Sequence, residues 1–172
     1  MPDAVAKAGL EGMVAADSSI CFIDGEAGIL SYRGYNIHTL ADNATFEETA
    51  YLLWHGRLPR RGEVDDLKRQ LAGARAVPAP VLDFLRSLPK NAVPMHMLRS
   101  AVSMLGIYDL EAEDMSAEAN LRKSIRLTGQ IAAIVAAFDR VRNGKQPVAA
   151  DPGLSHAGNF LYMLSGTRPA PV

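Results

Sequence analysis

This chain of 172 residues has few of the features that mark extracellular or membrane proteins. It has one cysteine, Cys21, so an internal disulfide and a thiolate zinc cluster are both excluded. The apolar run around Cys21 favours a buried, inert thiol over a reactive one. No stretch approaches the ~18 apolar residues of a membrane helix. The first 17 residues carry acidic side chains and lack the apolar centre of a signal peptide. We therefore expect a cytoplasmic protein.

The chain also lacks an excess of charge of either sign. Lysine and arginine number 18, aspartate and glutamate 19, and the net charge is −1. Such a protein has no overall field that would attract nucleic acid or an acidic membrane. A hydrophobic fraction of 48% and a charged fraction of 22% are typical of a globular domain. The length is that of one ordinary domain or a large piece of a bigger one.

No spacing of reactive side chains predicts an active site. None of the four histidines, His38, His55, His96 and His156, stands at metal-ligand spacing from another histidine, cysteine or carboxylate. We expect His55 to suit the negative end of a helix dipole, His96 to cap or pack, and His156 to lie on the solvated surface. The residues alone therefore predict no catalytic, cofactor-binding or metal-binding residue.

The acidic side chains are also assigned structural roles. The pair Glu47–Glu48 and the group Glu111, Glu113 and Asp114 are interpreted as solvated helix ends or loops. The serines lack the setting of a nucleophile, and the two glycines of DGEAG do not open a helix as a phosphate-binding loop would. No set of residues combines a base, an acid and an oxyanion site.

The pattern of residues 20–32 predicts a short β-hairpin. Two runs typical of strands flank Asp24-Gly25, and Gly28 can supply a positive φ in the turn. A single hairpin is marginally stable, so we expect it to lie on something else. Tyr32 and Arg33, beside Gly34, suggest a packed turn in which the arginine meets buried carbonyls or a carboxylate. Structural anchoring is favoured over substrate contact there.

Helical periodicity dominates the rest of the chain. Thr45 and Glu48 have the spacing of a capping box, and Gly56 and Pro59 end the helix that follows. Ser116 is expected to cap the longest helix. The pattern predicts a short turn at 35–40 and helices at about 46–55, 60–71, 81–88, 94–106, 117–142 and 157–164. The expected fold is mainly α, with one small N-terminal β-hairpin.

The helix predicted at 117–142 has two apolar stripes. A helix that is apolar around much of its girth is buried on more than one side. Gly129 in its middle costs ~1 kcal/mol relative to alanine, so we expect a close approach of a neighbouring backbone there. Two alternatives stay open: a central core helix within one chain, or a helix buried between two subunits. The stripes are formed by Leu121, Ile125, Thr128, Ala132 and Val135, and by Leu127, Ile131, Ile134, Phe138 and Val141.

Four segments, in order, resemble the citrate synthase family, which includes 2-methylcitrate synthase. The first is CFIDGEAGILSYRGYNI, which is similar to that family's hairpin and YRGY signature. The others are FEETAYLLWHGRLP, PMHMLRSAVSMLG and NFLYMLSG, the last from Asn159 to Gly166. The resemblance covers about residues 9 to 166.

The resemblance implies the N-terminal portion of a citrate-synthase-like helical large domain for residues 1–172, with the small domain and the active-site half absent. It also implies a homodimer that pairs through helices at about 94–106 and 117–142. The family condenses acetyl-CoA with oxaloacetate to citrate in the tricarboxylic acid cycle, uses acetyl-CoA as a substrate and needs no metal.

The family's catalytic motifs, of the types HxxHxxxAST, GPLHGGAN and GxGHxVY, do not occur here. We therefore transfer no catalytic or CoA-binding residue to this chain, and whether it acts as an enzyme by itself is left open. One alternative is 2-methylcitrate synthase, which uses propionyl-CoA. Another is a non-catalytic, truncated paralogue that acts as a dimerisation module.

Overall fold

The structure is a computed structural model that describes residues 16–170. The chain divides into two compact units, with the boundary between Ala44 and Thr45. Seven helices and three strands form the described residues, so the prediction of a mainly α fold is confirmed.

The first unit contains a three-stranded antiparallel sheet followed by a helix. Its strands are β1 (Cys21–Asp24), β2 (Ile29–Tyr32) and β3 (Tyr35–Asn36), in the order β1-β2-β3. Cys21 pairs with Tyr32 and Asp24 with Ile29, which confirms the predicted hairpin. The third strand was not predicted. Helix α1 (Ile37–Asn43) is longer than the predicted turn, and the Asn36 side chain caps it.

The turns of this sheet use positive φ angles at three positions. Gly28 has φ +66°, as predicted for the hairpin turn, whereas Arg33 and Gly34 have φ +49° and +86°. The Arg33 guanidinium donates from Nη1 to the Ser19 hydroxyl at 2.7 Å and to the Ser19 carbonyl at 3.3 Å. Arg33 therefore does anchor a turn, but Ser19 is exposed. In this contact the partner of Arg33 is the exposed Ser19, and not the carboxylate or buried carbonyl that the sequence predicts.

The described residues of the second unit, 45–170, form six helices. They are α2 (Phe46–His55), α3 (Arg61–Gly73), α4 (Ala79–Ser87), α5 (Pro94–Ile107), α6 (Ala117–Arg142) and α7 (His156–Ser165). Thr45 and Glu48 form the predicted capping box, Gly56 ends α2 in the left-handed region, and Ser116 caps α6. These local signals determine where each helix begins and ends.

Helix α6 is the centre of this unit and packs against α3, α4, α5 and α7. The largest apolar cluster joins α4, α5 and the second half of α6, and includes the fully buried Val81, Ala101 and Ile134. Ala133 and Ala136 on another side of α6 pack with Met163 of α7. Seven members of the predicted stripes are only half-buried within one chain: Leu121, Leu127, Thr128, Ile131, Ala132, Val135 and Val141.

Gly129 allows the predicted close approach. A Cβ at this position would lie 2.9 Å from the carbonyl oxygen of Ala74, just after α3. A side chain there would therefore overlap backbone, which cannot move aside as a flexible side chain can. The glycine thus sets the distance between α6 and the end of α3.

Candidate functional site

A group of buried polar side chains connects α2, α7 and the segment between α6 and α7. Glu47, Arg75, His156 and Asn159 are between 1% and 8% exposed. Together with Asp151, these residues form what we call the polar seam. Burying polar or charged groups is costly unless they find partners. Their contacts therefore make the seam the strongest candidate for a functional site in the second unit.

Glu47 lies in the first turn of α2 and accepts a hydrogen bond from the first turn of α7. Its Oε1 is 2.8 Å from the backbone nitrogen of His156. The carboxylate thus lies near two helix N-termini, where the helix dipoles favour negative charge. The expectation that Glu47 is a solvated helix end is wrong, because it is 3% exposed. A signal was available, since Glu47 shares a helix face with the buried Ala50 and Tyr51.

Arg75 follows α3 and reaches the segment that precedes α7. Its guanidinium donates to the carbonyl of Asp151 at 2.8 Å and to that of Leu154 at 2.9 Å. Burial lowers the pKa of Arg75, and the nearby Glu47 and Asp151 carboxylates oppose that shift. Arg75 therefore fixes a loop 76 to 79 residues further along the chain.

Asn159 and Asp151 complete the attachment of this loop. The Asn159 side-chain oxygen accepts the backbone N–H of Asp151 at 2.8 Å. The Asp151 carboxylate accepts the Gly153 N–H and also pairs with Arg168. These two contacts, the backbone N–H first, lower the pKa of Asp151. The loop at 151–155 is therefore bonded to Arg75, just after α3, and to α7.

His156 is the one buried histidine of the four. Its ring stacks on Phe46, with centroids 4.5 Å apart and planes 13° from parallel. Its Nδ1 is buried and has no hydrogen-bond partner. Burial, and then the charge of Arg75, lower the pKa of this imidazole. The prediction of a solvated His156 is wrong, because its partners on α2 lie about 110 residues away and local sequence does not reveal them.

The other three histidines take no part in the seam. His55 ends α2, where it stacks on Tyr51 with ring centroids 4.0 Å apart. His38 is exposed near the start of α1. His96 lies exposed in the first turn of α5, where no side-chain hydrogen bond caps the helix, so the expectation that it caps or packs is wrong.

The acidic segment before α6 forms an ion-pair network. Arg126 contacts Asp109 and Glu111, each at 2.7 Å, and Arg122 contacts Glu111 at 2.5 Å. Hydrogen bonds from these arginines lower the pKa of both carboxyl groups. The expected solvated loop is therefore correct for the exposed Glu113 and Asp114 and wrong for Glu111, which helps to fix the loop on α6.

The chemistry available in these clusters is limited to binding and positioning. A cavity of about 550 Å³ borders the seam, and its lining includes Glu47, Lys68, Arg69 and Arg75. Within residues 16–170, no group of three or more histidine, cysteine or carboxylate side chains could hold a metal ion. In the same residues, no helix is both long and apolar enough to cross a bilayer. The groups of the seam bond to one another's backbone, so they hold helices together.

Comparison with known proteins places this helical fold in a family. Residues 9–172 match the family model described as "Citrate synthase, C-terminal domain". "Citrate synthase 2" of Bacillus subtilis (strain 168) is 46% identical over 168 residues, which are 97% of this chain and 45% of that protein. "Citrate/2-methylcitrate synthase" of the same organism is 36% identical over 164 residues, 95% of this chain and 44% of that protein.

A solved structure agrees in fold. The citrate synthase from Pyrobaculum aerophilum superposes with a TM-score of 0.86 at 36% identity, covering 94% of this chain and 42% of that one. The chain belongs to the citrate synthase family, as its four ordered motifs predict. It spans less than half the length of the curated relatives it matches.

Proposed function

We propose that the polypeptide carrying this chain is a citrate synthase that condenses acetyl-CoA with oxaloacetate. The 46% identity to "Citrate synthase 2" over nearly the whole chain is the observation that carries this proposal. In such a condensation, a base removes a proton from the acetyl group, and polar groups stabilise the developing negative charge. We assign those roles to residues outside 1–172. In the proposed reaction acetyl-CoA is a substrate, and no metal takes part.

Within that enzyme, this chain would supply the N-terminal part of the large domain. This N-terminal placement rests on the order of the four motifs alone. The matched family model is described as a C-terminal domain, so its description does not support an N-terminal position. The role proposed for residues 45–170 is a rigid helical support. We also propose a cytoplasmic location, which suits a chain with one cysteine.

The same proposal includes a homodimer built on α5 and α6. Large apolar side chains in and after α5 are exposed within one chain: Met95 at 67%, Ile107 at 78%, Leu110 at 103% and Met115 at 76%. Half-buried apolar side chains of α6 add to them. A twofold axis would let each copy cover the same surface on the other.

Two alternatives follow from the same comparisons. A relative named for both citrate and 2-methylcitrate synthesis, 36% identical, makes propionyl-CoA the second candidate acyl donor. A non-catalytic dimerisation module is the other alternative, since the match spans about 45% of the relatives.

The first test is to read the coding DNA beyond the Val172 codon and to express the longest product. We expect thiol release from acetyl-CoA that requires oxaloacetate and exceeds the release from propionyl-CoA. Faster release from propionyl-CoA would favour 2-methylcitrate synthesis. An inert but dimeric product would overturn the enzymatic proposal in favour of the dimerisation module.

The dimer is tested separately by light scattering after size-exclusion chromatography. Ile107→Glu places a charge on the proposed interface, and we expect it to yield a monomer. Leu161→Glu is the matched control, because Leu161 is 51% exposed on α7, outside α5 and α6. Equal behaviour of the two variants would contradict the proposed interface.

A further inference from the structure

The buried ring of His156 lies where four segments of the second unit meet. Phe46 and Glu47 face it from α2 and Arg75 from just after α3, and Arg75 also bonds to the loop before α7. The residue also provides the first turn of α7, and its backbone N–H is bonded to Glu47. A change at this ring therefore acts directly on the contact between α2 and α7.

We propose that His156 is a proton-sensitive latch between α2 and α7. The neutral ring lies flat on Phe46 and keeps the start of α7 against the start of α2. The protonated ring is incompatible with this position and releases the start of α7. The proposal concerns the fold alone and does not depend on the enzymatic activity proposed above.

The surroundings of the ring explain why a proton would open the contact. Protonation makes both ring nitrogens donors, yet no acceptor lies within hydrogen-bonding distance of the buried Nδ1. The new charge would also lie near the buried guanidinium of Arg75.

The nearby Glu47 carboxylate raises the pKa of His156 but does not outweigh burial and Arg75. Its Oε1 is already bonded to the His156 amide. A buried charge without a partner is costly, and opening the contact lets water solvate it.

The lowered pKa of His156 sets the direction in which pH changes the stability of the contact between α2 and α7. The pKa of His156 in the closed state lies below its ordinary value of 6.5 because of burial and Arg75. An opened or unfolded chain therefore takes up the proton first as the pH falls through that ordinary value. The contact is stable at neutral pH and is lost progressively in acid.

Hydrogen exchange of the whole 172-residue chain between pH 7.5 and 5.5 tests the latch. After correction for the intrinsic pH dependence of exchange, we expect the first turn of α7 to exchange several-fold faster at pH 5.5, up to about tenfold for a single titrating group, while α6 changes little. His156→Phe keeps a flat ring that cannot be protonated, so this increase should disappear. His96→Phe, the same exchange at an exposed histidine, should keep it. An unchanged increase in His156→Phe would overturn the proposal, as would equal loss of protection in α6 and α7.

A second measurement needs no variant, in case the phenylalanine does not fit. The His156 imidazole signal of wild-type protein can be followed by NMR over the same pH range. We expect the His156 ring to gain its proton only as the first turn of α7 loses protection. A ring that is protonated while that turn stays fully protected would show that there is no latch.

Discussion

The apolar cluster of α4, α5 and α6 and the polar seam hold the same unit together by different means. The apolar cluster depends on van der Waals contact among side chains such as Leu85 and Ile134, which are at most 1% exposed. The seam depends on directed hydrogen bonds between side chains and backbone: Arg75 donates to a distant carbonyl, whereas Glu47 and Asn159 each accept a backbone N–H. The apolar cluster tolerates substitutions that change the shape of a side chain but keep its volume. The polar seam is destabilised when one hydrogen-bond partner is lost.

The largest effect should come from removing volume in the apolar cluster. Leu85→Ala should lower the free energy of unfolding by about 3 kcal/mol, since it removes buried methyl groups and leaves a cavity. The loss should not vary between pH 5.5 and 7.5, because no charged group belongs to the cluster. Denaturant unfolding at both pH values measures it. Leu161→Ala, at a half-exposed position, should cost less than about 0.5 kcal/mol; similar costs for the two would contradict this prediction.

The next largest effect should come from breaking the seam at Arg75. Arg75→Met keeps most of the side-chain volume but removes the donors to the Asp151 and Leu154 carbonyls, and we expect a loss of about 2 kcal/mol. Arg69→Met is the control, because Arg69 borders the same cavity but forms only an exposed pair with Asp66. That variant should change stability by less than about 1 kcal/mol. Unfolding of the two variants at the same denaturant concentration would show that the Arg75 hydrogen bonds contribute no more stability than the exposed Arg69 pair.

Gly129 lies where α6 meets the residue before Arg75, and it tests how rigidly the two regions are joined. Gly129→Ala should destabilise the unit by about 1 to 2 kcal/mol, because the new Cβ would overlap the Ala74 carbonyl. Gly106→Ala is the matched control in α5, where an added Cβ meets nothing within 4 Å. There the better helix propensity of alanine should be neutral or slightly stabilising. A thermal melt of both variants gives the answer, and stabilisation by both would show that α6 can shift.

The smallest effect should come from the cap that precedes the seam on α2. Thr45→Ala should cost about 1 kcal/mol, because it removes the acceptor for the Glu48 N–H. Thr45→Ser keeps that acceptor and should cost less. The Thr45 N–H and hydroxyl lower the pKa of Glu48 below 4.5, so the contribution of the Glu48 carboxylate is present above that value and fades as the pH falls. Melts at pH 7 and in acid would show this, and equal melting of the alanine and serine variants would contradict it.

Local sequence patterns predict some elements of this fold and miss others. Helix α6 occupies the predicted residues 117–142, because Ser116 and the apolar periodicity are local signals. The capping box of α2 was predicted from residues three apart. The third strand, two residues long, was missed because it is too short to show a pattern.

The seam was missed for a different reason. Glu47 and His156 each have polar or aromatic character that suits a surface, and only their mutual contact makes burial possible. The sequence did contain a partial signal, because His156, Asn159 and Met163 recur at helical spacing and are all buried. That spacing marks a buried face of α7 but does not identify what covers it.

The sequence separation of the seam contacts has a consequence for how the protein is made. Glu47 accepts a hydrogen bond from an amide 109 residues later, and Arg75 bonds to carbonyls 76 and 79 residues later. At about 5–20 residues per second, a ribosome takes roughly 5 to 20 s to synthesise the stretch from Glu47 to His156. Until residues 151–156 are synthesised, Glu47 and Arg75 lack these partners, and their charged side chains stay in water. The seam is therefore a late step of cotranslational folding, and α2 must wait for α7 before Glu47 can be buried.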